Sequence, residues 1–230
     1  MKNKELIPSL LSFNKRDWAY FFLKFQEYNM GYIHFDVMDE EYVHNTAYNE
    51  KDFNKFTHIY SHLKAHVHLM VMDPLNEVEK YFHKKTDSIC FHYDVYKNDE
   101  DVFKCLDKIK QAGIKAGIAI NPQTRIYEYD KYLPSCDIVT IMGVNPGKAG
   151  QKFQSNVVMS LYELKDWMEE NNRKIPIEVD GGMDYSTIPM VVSVSDYIVS
   201  GSFLAKNFND LSGIIAVSYT HLRAHETLAN

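Results

Sequence analysis

The sequence lacks the features that mark membrane, secreted and nucleic-acid-binding proteins. No run of 18 apolar residues occurs among the 230 residues, which excludes a membrane-spanning helix. The charged residues after Met1 are not followed by an apolar segment, so no secretory signal is visible. No long basic run occurs and the formal net charge is -6, which argues against nucleic acid as a partner.

Cysteine is scarce. Cys90, Cys105 and Cys136 lie far apart and are odd in number, which favours free thiols and a cytoplasmic location over a disulfide framework. Cys90 and Cys136 fall in strand-like runs, and we expect them to be core residues rather than ligands.

Apolar runs alternate with helical patterns along almost the whole chain. The pattern predicts eight strands, at Leu6–Leu11, Tyr32–Met38, Lys64–Met70, Ser88–His92, Lys115–Asn121, Asp137–Met142, Ile175–Asp180 and Ile198–Ser200. It predicts helices at Trp18–Tyr28, Asn76–His83, Asp99–Ala112, Ile126–Leu133, Ser155–Glu170, Thr187–Val192 and from Leu211 onward.

Strand–helix alternation implies parallel strands joined by right-handed crossovers. Eight such units predict an α/β protein of one domain, a (β/α)8 TIM barrel. An open doubly wound sheet is the alternative. It would carry a glycine-rich fingerprint after the first strand, where this chain has Ser9 and Ser12.

Three predicted strands carry ionisable side chains at alternating positions. His34, Asp36, His68 and Asp180 fall on one strand face, because residues i and i+2 point the same way. Buried ionisable groups cost free energy unless they are paired or bind a cation. Two imidazoles and two carboxylates suit a divalent transition metal, and strand ends are where barrels build active sites. One such histidine alone would more often be a hydrogen-bonded core residue, but four together predict a metal site.

Three glycine loops follow neighbouring strands. Gly181-Gly182 follows the seventh strand, Gly201-Ser202 the eighth, and residues 145–151 (NPGKAGQ) the sixth. Backbone N–H groups in the loops after the last strands are the usual phosphate site of such barrels. A single glycine pair would indicate only a tight turn, whereas three at adjacent strand ends predict a phosphate-binding edge.

The end of the chain differs in character from the rest. Residues 217–227 read VSYTHLRAHET, which resembles a translated adapter of sequencing libraries. We therefore expect a native barrel over residues 1–216, truncated in its last helix, and a non-native tail over 217–230. A short natural helix is the alternative. His221 and His225 are left out of the site.

Seven strings point to a known family: PSLLS (8–12), HFDVMD (34–39), HLM (68–70), NPQT (121–124), IMGVNPG (141–147), EVDGG (178–182) and GS (201–202). In this order and spacing the chain resembles the ribulose-phosphate 3-epimerases and the related allulose-phosphate 3-epimerases, from about Ile7 to Leu204. The resemblance implies a (β/α)8 barrel, a sugar-phosphate substrate and one divalent metal ion, whether Zn, Fe, Co or Mn. Because the family is often oligomeric, it also implies a homo-oligomer.

Carried over by motif, the resemblance implies roles for individual residues. The metal ligands would be His34, Asp36, His68 and Asp180. Asp36 and Asp180 would also form the catalytic acid/base pair. Ser9 would lie near the substrate hydroxyls, and three thioethers would line the metal, those of Met38, Met70 and Met142. The phosphate loops would be formed by Gly147, Gly150, Gly182, Gly201 and Ser202.

The expected reaction is epimerisation at C3 of a ketose phosphate, D-ribulose 5-phosphate to D-xylulose 5-phosphate, by two bases through a metal-stabilised enediolate. The alternatives are allulose 6-phosphate as substrate, or a sugar-phosphate-binding barrel without turnover. The sugar-phosphate decarboxylases on a similar barrel need a lysine where this chain has Met38.

The chain departs from the family pattern at several positions. His66 stands where relatives usually carry aspartate, and it is expected to lie deeper on the same face, either as a partner of a ligand or as a space filler. Glu40 and His44 replace a usual glycine and proline. Lys148 replaces an aromatic residue, and it would either contact a phosphate or remain solvated.

Overall fold

Eight parallel strands form the centre of the computed structural model, which describes residues 4–59 and 61–216. Their bounds are β1 Glu5–Pro8, β2 Tyr32–Met38, β3 Lys64–Met70, β4 Thr86–His92, β5 Lys115–Ile120, β6 Ile138–Met142, β7 Ile177–Asp180 and β8 Tyr197–Ser200. Neighbours pair in sequence order from β2 to β8, and β8 pairs with β1. A parallel bridge between Ser9 and His34 links β1 to β2, so the sheet is a nearly closed barrel and the predicted fold is confirmed.

Helices cover the outside of this barrel. They are α1 Trp18–Glu27, α2 Glu50–His58, α3 Pro74–Glu77, α4 Asp99–Gln111, α5 Ile126–Tyr129, α6 Val157–Glu170, α7 Ile188–Val191 and α8 Ser202–Lys206, and residues 211–216 are helical. In the described part of the chain, no helix is long and apolar enough to span a bilayer. The expected tail over 217–230 lies outside the described residues.

The core lies between the strands and the helices. Outward-facing strand residues such as Phe35, Leu69 and Val179 are fully buried against the helix layer, together with Trp18 and Phe22 of α1. Each buried side chain of this size contributes about 1.5–3 kcal/mol through removal of apolar surface from water. The opposite strand face points into the barrel and is free to carry polar groups.

The first strand is shorter than predicted. β1 ends at Pro8, and Leu10–Ser12 form a single 3-10 turn instead of continuing the predicted strand to Leu11. Proline has no N–H to donate to a neighbouring strand, which favours the end of regular pairing there. The turn brings Ser9 and Ser12 to the end of the barrel where the polar strand ends meet.

Helix α2 is absent from the predicted elements. Asn49 caps it through hydrogen bonds from the N–H groups of Lys51 and Asp52, and Asp52 completes a capping box. Only Phe53 and Phe56 bury its inner face, so its apolar pattern is too short to give a clear helical period.

The strand register sets the height of the polar side chains. Asp36 of β2 lies opposite His68 of β3, and Met38 lies opposite Met70. On the other side of the barrel, Met142 of β6 lies opposite Asp180 of β7. The carboxyl ends of these strands therefore present their side chains at one level.

Candidate metal centre and active site

Four ionisable side chains from three strands meet inside the barrel mouth. His34 and Asp36 extend from β2, His68 from β3 and Asp180 from β7, and one potential ligand atom of each lies within 4.8 Å of all the others. The exposed fractions of these side chains are 0%, 5%, 1% and 13%, respectively. We call these four residues the upper cluster.

The polar atoms of the upper cluster are close but are not hydrogen-bonded to one another. The Nδ1 atom of His34 is 3.3 Å from Oδ1 of Asp36, and Nδ1 of His68 is 3.5 Å from that oxygen and 3.6 Å from Oδ2 of Asp180. Among the described residues, both ring nitrogens of His34 and Nδ1 of His68 lack a hydrogen-bond partner. Unsatisfied buried nitrogens facing carboxylates fit a site for a divalent cation, and this donor set suits Zn, Fe, Co or Mn.

Charge attraction governs the protonation of the cluster. Burial alone would raise the pKa of Asp36, but the imidazoles of His34 and His68 outweigh burial and hold that pKa well below its usual range. Burial likewise would lower the pKa of His34, and the carboxylates of Asp36 and Asp180 instead raise it. A bound cation would take the place of these imidazole protons, since metal binding to histidine releases protons.

A second histidine orients His68. Its Nε2 atom lies 2.9 Å from Nε2 of His92, which is fully buried at the end of β4. Burial and the neighbouring His68 ring lower the pKa of His92 well below its usual value, so a neutral His92 can accept a hydrogen bond from Nε2 of His68. With its proton on Nε2, His68 would direct the lone pair of Nδ1 towards the upper cluster when an ion is bound.

The predicted neighbours of the metal line one cavity of ≈ 520 Å³ above the upper cluster. The hydroxyl of Ser9 donates a 2.8 Å hydrogen bond to Oδ2 of Asp36. Met38, Met70 and Met142 line the same cavity and are at most 7% exposed. The cavity thus has a polar floor with an apolar wall.

The predicted phosphate residues form the rim of this cavity. Gly147, Gly150, Gly182, Gly201 and Ser202 all line it. Gly182 has a φ of +73°, and a Cβ atom there would lie 2.6 Å from the backbone of Phe153. Only glycine fits such a site, which lets the seventh-strand loop lie closely against Phe153 at the rim of the cavity.

The departures from the family pattern occupy distinct places. Exposed Lys148 lines the cavity rim. Glu40 has a left-handed backbone with a φ of +68°, and the loop that contains it and His44 contacts the rim through Asn45, whose Nδ2 donates to the carbonyl of Gly147 at 2.8 Å.

Three buried or half-buried residues below the upper cluster form a second group. Nδ1 of His66 lies 2.6 Å from Oε2 of Glu178, and its Nε2 lies 3.4 Å from Oδ2 of Asp87. We call His66, Asp87 and Glu178 the lower cluster. His66 lies deeper on the inward face, as predicted, and it does not line the cavity.

Glu178 is the residue that sequence reasoning missed. The signal was present, because Glu178 precedes Asp180 by two positions and alternation places both on the inward face of β7. Its side chain is 2% exposed and its Oε1 lies 3.5 Å from Nε2 of His34.

Comparison with known proteins agrees with this geometry. Residues 5–205 match the model of the ribulose-phosphate 3 epimerase family. The ribulose-phosphate 3-epimerase of Treponema pallidum (strain Nichols) is 32% identical over 86% of this chain and 89% of its own length. That of Bacillus subtilis (strain 168) is 31% identical over 74% and 77%. A crystal structure of 3-hexulose-6-phosphate synthase from Salmonella typhimurium covers 95% of this chain and 99% of its own with a TM-score of 0.69 at 16% identity, which shows the shared barrel fold alone.

The chain therefore belongs to the ribulose-phosphate 3 epimerase family. Membership makes it an epimerase, and thus an isomerase.

Proposed function

We propose that this protein interconverts D-ribulose 5-phosphate and D-xylulose 5-phosphate by epimerisation at C3, with one divalent metal ion held by the upper cluster. Family membership and two relatives named as ribulose-phosphate 3-epimerases support the reaction class. The Nδ1 atoms of His34 and His68, which are buried near Asp36 without hydrogen-bond partners, support the ion.

The observation that carries the proposal is a pair of carboxylates on separate strands. Asp36 of β2 and Asp180 of β7 both line the cavity, and both lie close to the same ring nitrogen, at 3.5 and 3.6 Å from Nδ1 of His68. Binding a sugar phosphate needs no such pair. Inversion of a carbon needs one acid/base group on each of its faces.

The two carboxylates would act in turn. One takes the proton from C3, which leaves an enediolate of the sugar, and the other, protonated, returns a proton to the opposite face. A bound divalent ion would act as a Lewis acid that favours loss of the C3 proton beside the carbonyl group. In the reverse reaction Asp36 and Asp180 exchange roles.

Other residues of the cavity would hold the sugar in place. The hydroxyl of Ser9 keeps the carboxylate of Asp36 oriented and lies near the expected sugar hydroxyls. The three methionines would exclude water from the reacting carbon. The phosphate would bind the glycine rim, at Gly147, Gly150, Gly182, Gly201 and Ser202, with Lys148 as an added point charge.

A deuterium experiment tests the proposal. In D2O, the metal-loaded protein is expected to place solvent deuterium at C3 of the product from D-ribulose 5-phosphate. A panel that includes D-allulose 6-phosphate compares kcat/KM between pentulose and hexulose, and we expect the pentulose to be preferred. A protein that binds either sugar phosphate without deuterium at C3 would be a binding barrel, and the proposal would be wrong.

A further inference from the structure

The inward face of β7 carries a carboxylate that the proposed reaction does not use. Glu178 lies directly below the upper cluster, and its side chain is 2% exposed. Burying a carboxylate costs free energy of folding unless each oxygen has a partner. The presence of Glu178 at this position therefore calls for a specific explanation.

Both oxygens of Glu178 are fixed by hydrogen bonds from other strands. Oε1 accepts from Oγ1 of Thr140 on β6 at 2.9 Å, and Oε2 contacts Nδ1 of His66 on β3 at 2.6 Å. His66 in turn lies 3.4 Å from Asp87, which contacts Nζ of Lys115 at 2.8 Å. The carboxylate of Glu178 is therefore held in place from below, independently of the upper cluster.

The same carboxylate faces the back of a predicted metal ligand. Oε1 of Glu178 lies 3.5 Å from Nε2 of His34, while Nδ1 of His34 lies 3.3 Å from Asp36. A carboxylate at Nε2 favours the proton on that nitrogen. The lone pair of Nδ1 is then directed into the upper cluster, where an ion would lie.

We propose that Glu178, fixed by Thr140 and His66, is a positioning residue that holds the His34 ring in the orientation and tautomer needed to bind the metal. This inference rests on the metal site of the proposed function. It adds that the affinity of that site depends on a residue that touches neither metal nor sugar. His34 and His68 are then oriented by different groups, a carboxylate and the neutral ring of His92.

The test measures zinc affinity in the absence of sugar, by competition with a chromophoric chelator. Glu178→Gln keeps the shape of the side chain but presents an amide instead of a carboxylate to His34, and we expect zinc affinity to fall about 10- to 100-fold. The visible absorption spectrum of the cobalt-loaded protein is expected to change as well, because the histidine would no longer be fixed. Thr140→Val removes one of the two donors that fix this carboxylate but leaves the charge, and we expect a smaller, several-fold fall. Glu170→Gln, at an exposed position of α6, is the matched control and should leave zinc affinity unchanged.

A pair of variants at His66 tests the same contact chain without altering Glu178. His66→Gln keeps an N–H donor near Glu178 and is expected to bind zinc nearly as the parent does. His66→Leu removes the donor and is expected to lower zinc affinity several-fold. This pair of variants also tests the inference if Glu178→Gln does not fold.

Three results would decide against the inference. Glu178→Gln that binds zinc within about twofold of the parent, with the same cobalt spectrum, would overturn the positioning role and leave the proposed function intact. Equal affinities in His66→Gln and His66→Leu would show that the support from below is not needed. A parent protein that binds no zinc or cobalt would contradict the metal site itself, and with it this inference.

Discussion

The upper and lower clusters are built from the same residue types, yet their atoms are spaced differently. In the upper cluster, the imidazole and carboxylate atoms of different residues are 3.3–3.6 Å apart. In the lower cluster, Glu178 has contacts of 2.6 and 2.9 Å and Asp87 has one of 2.8 Å to Lys115, while only the His66–Asp87 pair is as far apart as 3.4 Å. Hydrogen bonds with good geometry fall in the shorter range.

The difference indicates distinct tasks for the two clusters. In the lower cluster each carboxylate is matched by donors, so its charges satisfy one another and stabilise the barrel interior. Among residues 4–59 and 61–216, three buried ring nitrogens of the upper cluster lack hydrogen-bond partners, two of His34 and one of His68, whereas in the lower cluster only Nε2 of His66 does. Closely spaced but unpaired donor atoms are typical of a metal-binding site, and the comparison can be tested by changing each cluster separately.

The largest effect is expected from the two upper carboxylates. Asp36→Asn and Asp180→Asn should each lower kcat by about a thousandfold or more, because each removes one of the two proton-transfer groups. Steady-state kinetics with metal content measured on the same samples separates loss of the base from loss of the ion. Asp94→Asn, in the turn that follows β4, is the control and should retain activity within about tenfold. Full turnover in both aspartate variants would refute the two-base mechanism.

Metal removal should lower the two properties that depend on the upper cluster, which are activity and thermal stability. Dialysis against a chelator is expected to abolish activity and to lower Tm by several degrees, since a ligand at a hundred times its Kd stabilises the folded state by about 2.7 kcal/mol. Zinc should restore both in the parent and in His66→Gln, but not in His68→Gln. A zinc-dependent rise in Tm that survives in His68→Gln would place the ion elsewhere.

Two glycine variants distinguish a phosphate-binding role of the cavity rim from the general effect of backbone strain. Gly182→Ala should raise KM for the sugar phosphate about tenfold and lower the free energy of unfolding by about 1–3 kcal/mol, because its Cβ would lie 2.6 Å from the Phe153 backbone. Gly113→Ala is the matched control. Its φ of +75° is similar, but nothing lies within 4 Å of the added atom, so only about 1 kcal/mol and no change in KM are expected. Equal KM values in the two variants would remove the phosphate role of Gly182.

The smallest effect is expected from the lower cluster, as a pH dependence. Burial would raise the pKa of Asp87, but the neighbouring His66 ring and the hydrogen bond from Lys115 lower it to about 2. A depressed carboxyl pKa contributes stability above its unfolded value near 4, and that stability is lost as the pH falls towards 2. Urea unfolding between pH 5 and 2 should therefore show an acid loss that is smaller by about 1 kcal/mol in Asp87→Asn than in the parent, and unchanged in the exposed control Asp107→Asn. The same acid loss in both variants would contradict this role.

The sequence predicts the upper cluster better than the lower one, and the reason is physical. Alternation along β2, β3 and β7 places His34, Asp36, His68 and Asp180 on the inward face, and parallel pairing brings strand ends to one level. The pairing of Glu178 with His66 depends on how β3 and β7 face each other across the barrel. No local pattern encodes that distance.

The sequence patterns also did not predict two local features, the end of the first strand and helix α2. The predicted first strand extends to Leu11, but the chain turns at Ser9, which places its hydroxyl on Asp36. Helix α2 depends on the capping box of Asn49 and two buried phenylalanines rather than on a long apolar period. The homo-oligomer and the cytoplasmic location stay predictions.

The most direct test is a crystal structure of the zinc-loaded protein with diffraction data collected on both sides of the zinc absorption edge. We expect one anomalous peak inside the barrel mouth, with ligand atoms of His34, Asp36, His68 and Asp180 at about 2.0–2.2 Å from it. A peak bound by other residues, or an empty mouth in protein that has taken up zinc, would contradict it.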